Sequence, residues 1–324
     1  MDGERISASA AVLKGQGHID LAKVDVPEPQ SDQVRVRLQG CGVCASNLPV
    51  WEGRPWFEYP LAPGAPGHEG WGIVDALGPT ITDFAVGDRV ALLSYNAYAQ
   101  YDLVRADALV RLPSALDSQP FPGEPLGCVM NIFARSHIEA GQTVAIVGIG
   151  FMGALLTELC TRAGARVIAV SRRTFALEIA REYGAVSAVR LDDPVHAAQQ
   201  VQALTQGAGC ERVIEVTGHQ SALDLATDII GVRGRLIIAG YHQDGIRQID
   251  MQKWNWKGLD IINAHERDPQ TYLEGMYLAV EAVTDGRLHP RPLYTHTFAL
   301  GELSQAFEAL RERRNGFLKA LVMT

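Results

Sequence analysis

At 324 residues, 47% of them apolar, the chain is long enough for two ordinary domains with separate cores and too long for a single small module. A formal net charge of −8 excludes the clustered basic surface that nucleic-acid binding needs and favours a small-molecule partner. Residues 1–12 are polar and mixed, without the apolar run of a secretion signal or a membrane span, so a soluble, cytoplasmic protein with no membrane partner is expected.

No internal repeat is visible. The first third reads as β: residues 34–38 (VRVRL) alternate apolar and polar as a half-buried strand does, and 71–77 and 88–93 are further short runs bounded by Gly and Pro. A barrel-like or sandwich domain is expected there. After about residue 131 strands alternate with helices: strand 143–147, a helix from 152 stopping near Gly164, strand 166–170, a helix ending at Gly184, a helix over 195–205, strand 212–216, a helix from 221, and strand 235–239. That alternation implies right-handed βαβ crossovers and a parallel, doubly wound sheet with helices on both faces. Trp254 and Trp256 alternate just before a strand at 259–263. Helices over 269–285 and 301–313 precede an apolar strand at 317–322, which has no local partner and must return to an earlier domain. The expected division is therefore an α/β chain with a β-rich domain at 1–131, a dinucleotide-binding domain at 132–264, and a return to the first domain at 265–324.

Gly148-Ile-Gly150-Phe151-Met152-Gly153 is a G-x-G-x-x-G run directly after a strand and before a helix. Its first glycine permits the tight turn, the second lets backbone approach a pyrophosphate, and the third allows close helix–strand packing at a helix N-terminus that attracts anions. The next strand ends at Val170, where NAD-specific domains place an acidic residue for the ribose hydroxyls. Here Ser171, Arg172 and Arg173 follow instead. A hydroxyl and two guanidinium groups suit a 2′-phosphate, so NADP is expected in preference to NAD.

Three upstream segments carry metal-ligating groups: Gly42-Val-Cys44-Ala-Ser46-Asn47, Gly67-His68-Glu69 and Glu124-Pro-Leu-Gly-Cys128. Cys44, His68 and either Glu69 or Glu124 would make a zinc site with one position open for water or substrate. The five cysteines are odd in number and scattered apart from Cys41 and Cys44, which reads as reduced thiols. A zinc ribbon would need a second close pair.

Taken in order, G-V-C-A-S-N, P-G-H-E-G-W-G-I-V, G-D-R-V, E-P-L and V-A-I-V-G-I-G-F-M-G resemble the medium-chain zinc alcohol dehydrogenases over nearly the whole chain, most closely the polyol and sorbitol dehydrogenase branch. The resemblance implies a GroES-like catalytic domain joined to a Rossmann cofactor domain, and a cytoplasmic homodimer or homotetramer acting on a small alcohol or ketone. Position by position it makes Cys44 and His68 the first two zinc ligands, with Glu69 and Glu124 sharing the third place. Cys128 is implied to lie beside the nicotinamide, and Lys319 to approach the cofactor phosphates. Ser46 is implied to carry the alcohol proton away while zinc polarises the substrate oxygen and hydride passes to the nicotinamide.

The chain also departs from that pattern. Asn47 stands where Asp is usual, removing a charge that would orient a ligand, and Pro49 stands near a position that commonly holds a relay histidine. Residues 89–101 contain no cysteine, whereas many relatives carry a structural zinc lobe after this point, so one catalytic zinc and no structural zinc is expected. Trp51, Trp56, Phe57 and Tyr59 occupy a stretch that lines the substrate cleft in relatives and would suit a sugar-like ring or an apolar alcohol. Two rivals remain: a zinc-free quinone or enone reductase of the same fold, which should lack the ligand set, and a non-catalytic nucleotide-binding protein, which has no use for an open metal site.

Overall fold

The computed structural model describes residues 6–117 and 119–324. The sequence reading of residues 1–5 lies outside the described residues. In chain order, strands β1 (Ile6–Gly15), β2 (His18–Val26) and β3 (Gln33–Val43) precede helix α1 (Leu48–Trp51) and strands β4 (Gly70–Leu77), β5 (Arg89–Leu92), β6 (Tyr101–Arg105) and β7 (Leu109–Arg111). Helix α2 (Gly123–Ser136) leads into β8 (Thr143–Val147), α3 (Phe151–Arg162), β9 (Arg166–Ser171), α4 (Thr174–Glu182), β10 (Ser187–Arg190), α5 (Pro194–Leu204), β11 (Cys210–Glu215), α6 (Gln220–Ile229) and β12 (Ile230–Ile238). The chain closes with α7 (Met251–Lys257), β13 (Asp260–Asn263), α8 (Pro269–Thr284), β14 (Tyr294–Ala299), α9 (Leu303–Glu312) and β15 (Lys319–Met323). No helix among the described residues is long and apolar enough to cross a membrane.

Two compact units result. One runs to Gly127 and takes in Tyr272–Thr284 and Arg291–Thr324; the other comprises Cys128–Thr271 and Asp285–Pro290. In the first unit a seven-stranded sheet is ordered β14-β15-β3-β4-β5-β7, with β6 also pairing β3, and the β1–β2 hairpin forms a separate sheet. The alternation read at 34–38 has its cause here: Val34, Val36 and Leu38 point into a core shared with Leu92, Tyr98, Phe307 and Val322. The terminal strand finds its partner in the same sheet, β15 running antiparallel to β3 with Ala320 opposite Val43 and Leu321 opposite Gly42. Burying that apolar strand removes an otherwise exposed edge of β3.

The second unit is a six-stranded parallel sheet ordered β10-β9-β8-β11-β12-β13. Strand order reverses between β8 and β11, and in such sheets ligands bind beyond the carboxyl ends of the strands at that reversal. Strand β8 is apolar almost throughout because both of its faces are covered; Val144, Ala145, Ile146 and Val147 are each fully buried. Trp254 and Trp256, which alternate just before a strand in the sequence, sit on helix α7, and a two-residue step on a helix sends them to different faces. Trp254 packs against the core and its indole N–H donates to Thr227 Oγ1 at 3.0 Å, while Trp256 is 88% exposed.

One buried acid sets a pH dependence on the first unit. Asp102 on β6 is 5% exposed and accepts from Ser94 Oγ. Burial raises its pKa from 3.8 to about 6, against the opposing hydrogen bonds from Ser94 and the Leu103 N–H. The folded chain therefore keeps a proton that the unfolded chain loses across that interval, so this group's contribution falls as pH rises from about 4 to about 6, and its full cost applies above. Asp102→Asn should raise unfolding free energy by about 1–3 kcal/mol at pH 8 and flatten the change between pH 4 and 6 in urea titrations. An unchanged decline over that interval would show that Asp102 is not its source.

Candidate active site

Cys44 ends the extended stretch of β3 and caps a single 3₁₀ turn, Ala45–Asn47, which turns Ser46 back towards it. His68 and Glu69 precede β4, the strand antiparallel to β3, so the sheet itself brings the two segments together. The donor atoms of Cys44, His68 and Glu69 all lie within 4.8 Å of one another. One cation with bonds of about 2.0–2.3 Å can bridge that span once the side chains close on it.

The imidazole is fixed by its far nitrogen. His68 Nδ1 lies 3.0 Å from the Pro66 carbonyl, which can only accept, so Nδ1 carries a proton and Nε2 is the nitrogen turned to the cluster. Asn47 Nδ2 donates to the same carbonyl at 3.1 Å, and its Oδ1 accepts from Tyr98 Oη at 2.9 Å. The orienting acceptor lost with the Asp-to-Asn difference is thus replaced by a backbone oxygen that Asn47 holds in place. The Ser46 hydroxyl is 3.2 Å from Cys44 Sγ and 3.5 Å from His68 Nε2, against both ligand atoms at once. Tyr95, half exposed, stacks on the His68 ring with centroids 6.4 Å apart.

Glu69 is fully buried, and Gly42 makes room for it: a Cβ there would fall 1.8 Å from Glu69 Oε2. The ammonium of Lys319, on β15 and 5% exposed, hydrogen-bonds to Glu69 Oε1 at 2.6 Å and to the Val43 carbonyl at 3.2 Å, with Oε2 at 2.5 Å. The sequence reading set Lys319 near the cofactor phosphates; in the structure its ammonium lies against Glu69 and the Val43 carbonyl. The pairing of β15 with β3 buries its side chain beside the carboxylate, and this second charge was missed. Glu124, in the first turn of α2, lies outside the three-donor group yet acts electrostatically on His68 and Lys319. Burial lowers the pKa of His68, but hydrogen bonding and charge from Cys44, then charge from Glu124 and Glu69, outweigh it and raise the value to about 10. Burial likewise opposes the charge on Lys319, while Glu69, Cys44 and Glu124 together keep it an ammonium.

Thiol, imidazole and carboxylate groups converging on one partly buried point, with the imidazole already oriented through Nδ1, fit a zinc ion. Cys41, the other half of the close pair, faces away: its thiol is fully buried, donates to the Gly42 carbonyl at 3.3 Å, and is pushed well above the usual thiol range by burial and by Glu69. Cys128 lies on α2 and is half-buried.

In the second unit, Gly148 adopts φ +105°, and a Cβ on Gly153 would come within 2.1 Å of the Gly148 carbonyl, so both glycines are sterically required. Gly150 is different. A Cβ there would meet nothing within 4 Å, leaving open space at the N-cap of α3, where no side chain caps the first amides. That is the cradle a pyrophosphate needs. The Phe151 ring is buried and Met152 is half-buried, so what both present at the open N-cap is backbone. Ser171 closes β9; its Oγ accepts from the Arg173 N–H at 3.3 Å, and Arg173 Nη2 donates to the Ile149 carbonyl at 3.2 Å, tying the arginine to the glycine loop. Arg172 is exposed.

Other residues singled out in the sequence separate. Trp51 is a core residue, stacked on Phe307 at 5.7 Å, because α1 turns it inward. Phe57 and Tyr59 pack against the same core, and Trp56 is 57% exposed.

Comparison with known proteins agrees with both halves. Residues 30–114 match the alcohol dehydrogenase GroES-like domain and residues 151–281 the zinc-binding dehydrogenase domain. Sorbitol dehydrogenase of Halalkalibacterium halodurans is 26% identical over 330 residues, covering 92% of this chain and 94% of that protein. Among solved structures, galactitol-1-phosphate dehydrogenase from Escherichia coli superposes with a TM-score of 0.83 at 22% identity, covering 98% of this chain and all of the other. A putative zinc-binding dehydrogenase from Sinorhizobium meliloti, bound to NADP, gives 0.83 at 24% identity over 98% of this chain and all of the other.

Asn47→Ala removes a buried donor and acceptor together. It should cost about 2 kcal/mol in urea titrations and weaken zinc retention against a chelator by about tenfold or more, because the Pro66 carbonyl loses its anchor. Wild-type zinc retention in a folded Asn47→Ala protein would refute this role.

Proposed function

This chain belongs to the medium-chain dehydrogenase/reductase superfamily, as a zinc-type alcohol dehydrogenase of the polyol branch, and on that premise we propose that it oxidises a secondary alcohol with a polyol or sugar-like hydroxyl, or reduces the corresponding ketone, with one zinc and with NADP preferred over NAD. The observation that carries the reading is the convergence of Cys44, His68 and Glu69 with the Ser46 hydroxyl against two of them. A zinc-free reductase has no need of that donor set.

Cys44, His68 and a carboxylate from Glu69 or Glu124 would hold the metal. Zinc bound there would lower the pKa of a substrate hydroxyl, and NADP would supply the hydride acceptor. Ser46 supplies an oxygen beside the ligand atoms that can accept the hydroxyl proton in oxidation and return it in reduction. With Pro49 buried in α1, no side chain at that position extends the relay, and the proton leaves Ser46 through water or the cofactor ribose.

The open N-cap at Gly150 would take the pyrophosphate, with Gly148, Phe151, Met152 and Gly153 forming the turn around it. Ser171, Arg172 and Arg173 would take the 2′-phosphate, since no carboxylate follows β9 to repel it. The polyol-branch membership favours a hydroxylated substrate, and in the cytoplasm such a chain would act as a homodimer or homotetramer.

Initial rates with NADPH and NADH across a panel of polyols, sugars and secondary ketones test this reading. The NADPH:NADH ratio of kcat/KM should exceed one, and Arg172→Ala should lower it by about tenfold through the KM for NADPH. A preference for NADH in the wild type, or a ratio unmoved by the substitution, would remove the assignment of NADP.

A further inference from the structure

The turn that follows β11 is fixed by a buried carboxyl group that takes no part in the chemistry above. Glu215 is fully buried at the end of that strand. Its Oε1 accepts from the Thr217 N–H at 2.6 Å, the Thr217 hydroxyl at 2.5 Å and the Gly218 N–H at 2.9 Å, which closes residues 215–218 into a tight turn. Its Oε2 lies 2.9 Å from His242 Nε2, in the loop after β12. On the far side of that ring, Arg247 Nε donates to His242 Nδ1 at 2.7 Å. A guanidinium can only donate, so Nδ1 accepts, and the imidazole proton sits on Nε2, where Oε2 receives it. Arg247 Nη2 also donates to the Gly218 carbonyl at 2.8 Å, back at the turn itself. The segments after β11 and β12 are thereby closed into one ring of hydrogen bonds. Gly240 lets them meet: a Cβ there would fall 2.1 Å from the Gly218 nitrogen and 2.7 Å from Glu215 Oε2.

This ring stands beside the glycine turn. β8 and β11 are the neighbours between which strand order reverses, and the Thr217 methyl lies against Gly148, where a Cβ would come within 2.4 Å of it. A dinucleotide whose pyrophosphate lies at the N-cap of α3 spans that reversal, with its adenosine ribose towards the end of β9 and its other half towards β11 and β12. Ser171, Arg172 and Arg173 lie on the first side, and the 215–218 turn and the 239–242 loop on the second. Resting on the cofactor assignment above, we propose that Glu215, His242 and Arg247 are positioning residues that lock together the two segments receiving the nicotinamide half of the cofactor. That half then meets a surface already in its bound shape, and the cost of ordering two loops falls on folding and not on binding.

The test is calorimetric titration of the full chain with NADPH or NADH, whichever the wild type binds more tightly, and with the matching adenosine fragment, 2′,5′-ADP or ADP. His242→Leu and Arg247→Ala should each weaken dinucleotide binding about tenfold and leave fragment binding within about twofold of wild type, since only the second half of the ligand meets the locked segments. His242→Gln, whose amide keeps one acceptor and one donor, should recover most of the loss. Glu215→Gln should show the same asymmetry. If that variant does not fold, the two outer ones decide, their native side chains being 13% and 16% exposed. Equal losses for dinucleotide and fragment, which a general loosening of the unit would give, or no loss of either, overturn the role of the three residues. A wild type that binds neither dinucleotide overturns the cofactor assignment instead.

Discussion

The pairing of the last strand with the third is the constraint on which the catalytic unit depends. When β15 lies antiparallel to β3, an apolar strand with no local partner completes a sheet, and the same register sets Lys319 next to the turn that carries Cys44. Sheet formation thus delivers a charge from the end of the chain to a carboxylate 250 residues earlier. Burying a carboxylate alone is costly, and an ammonium held against it offsets much of that cost. What this arrangement yields is a charged, water-poor point around which a metal-binding group can be assembled from β3, the approach to β4 and α2.

The two units solve different problems with the same resource, the end of a strand. In the parallel sheet, β8 ends at a glycine turn before an open helix N-cap and β9 ends at Ser171 with two arginines following, an arrangement suited to an anion. In the antiparallel sheet, β3 ends in a turn whose side chains are suited to a cation. The first site is built mainly of amides and the second of side chains, which is why a change at Gly153 would strain the backbone while a change at Asn47 acts through hydrogen bonds.

How much of this could be read in the sequence follows from how local each signal is. Within the βαβ series, β8 and its glycine turn were legible because they are fixed by neighbours in the chain, whereas β10 was not read and β12 begins at Ile230, ahead of the strand read at 235–239. Cys44, His68 and Glu69 were legible because two short motifs carry them. Lys319 was recognisable as a basic residue but not by its partner, which depends on a strand pairing between opposite ends of the chain. The part played by the Pro66 carbonyl was invisible, because a backbone acceptor leaves no residue signature. Trp51 misled for the opposite reason: an aromatic on a loop-like stretch reads as a cleft residue until α1 and α9 bring it against Phe307. Strands β1 and β2 were missed because their alternation is broken by charged and small residues.

The central claim is that Cys44 and His68 hold one catalytic zinc. The most direct measurement is elemental analysis of zinc per chain in protein purified without chelator, for the wild type and for Cys44→Ala and His68→Ala proteins shown to be folded. The account predicts close to one zinc per wild-type chain and a loss of that zinc in both variants. Folded wild type without zinc, or zinc retained at the same level without Cys44, would contradict it.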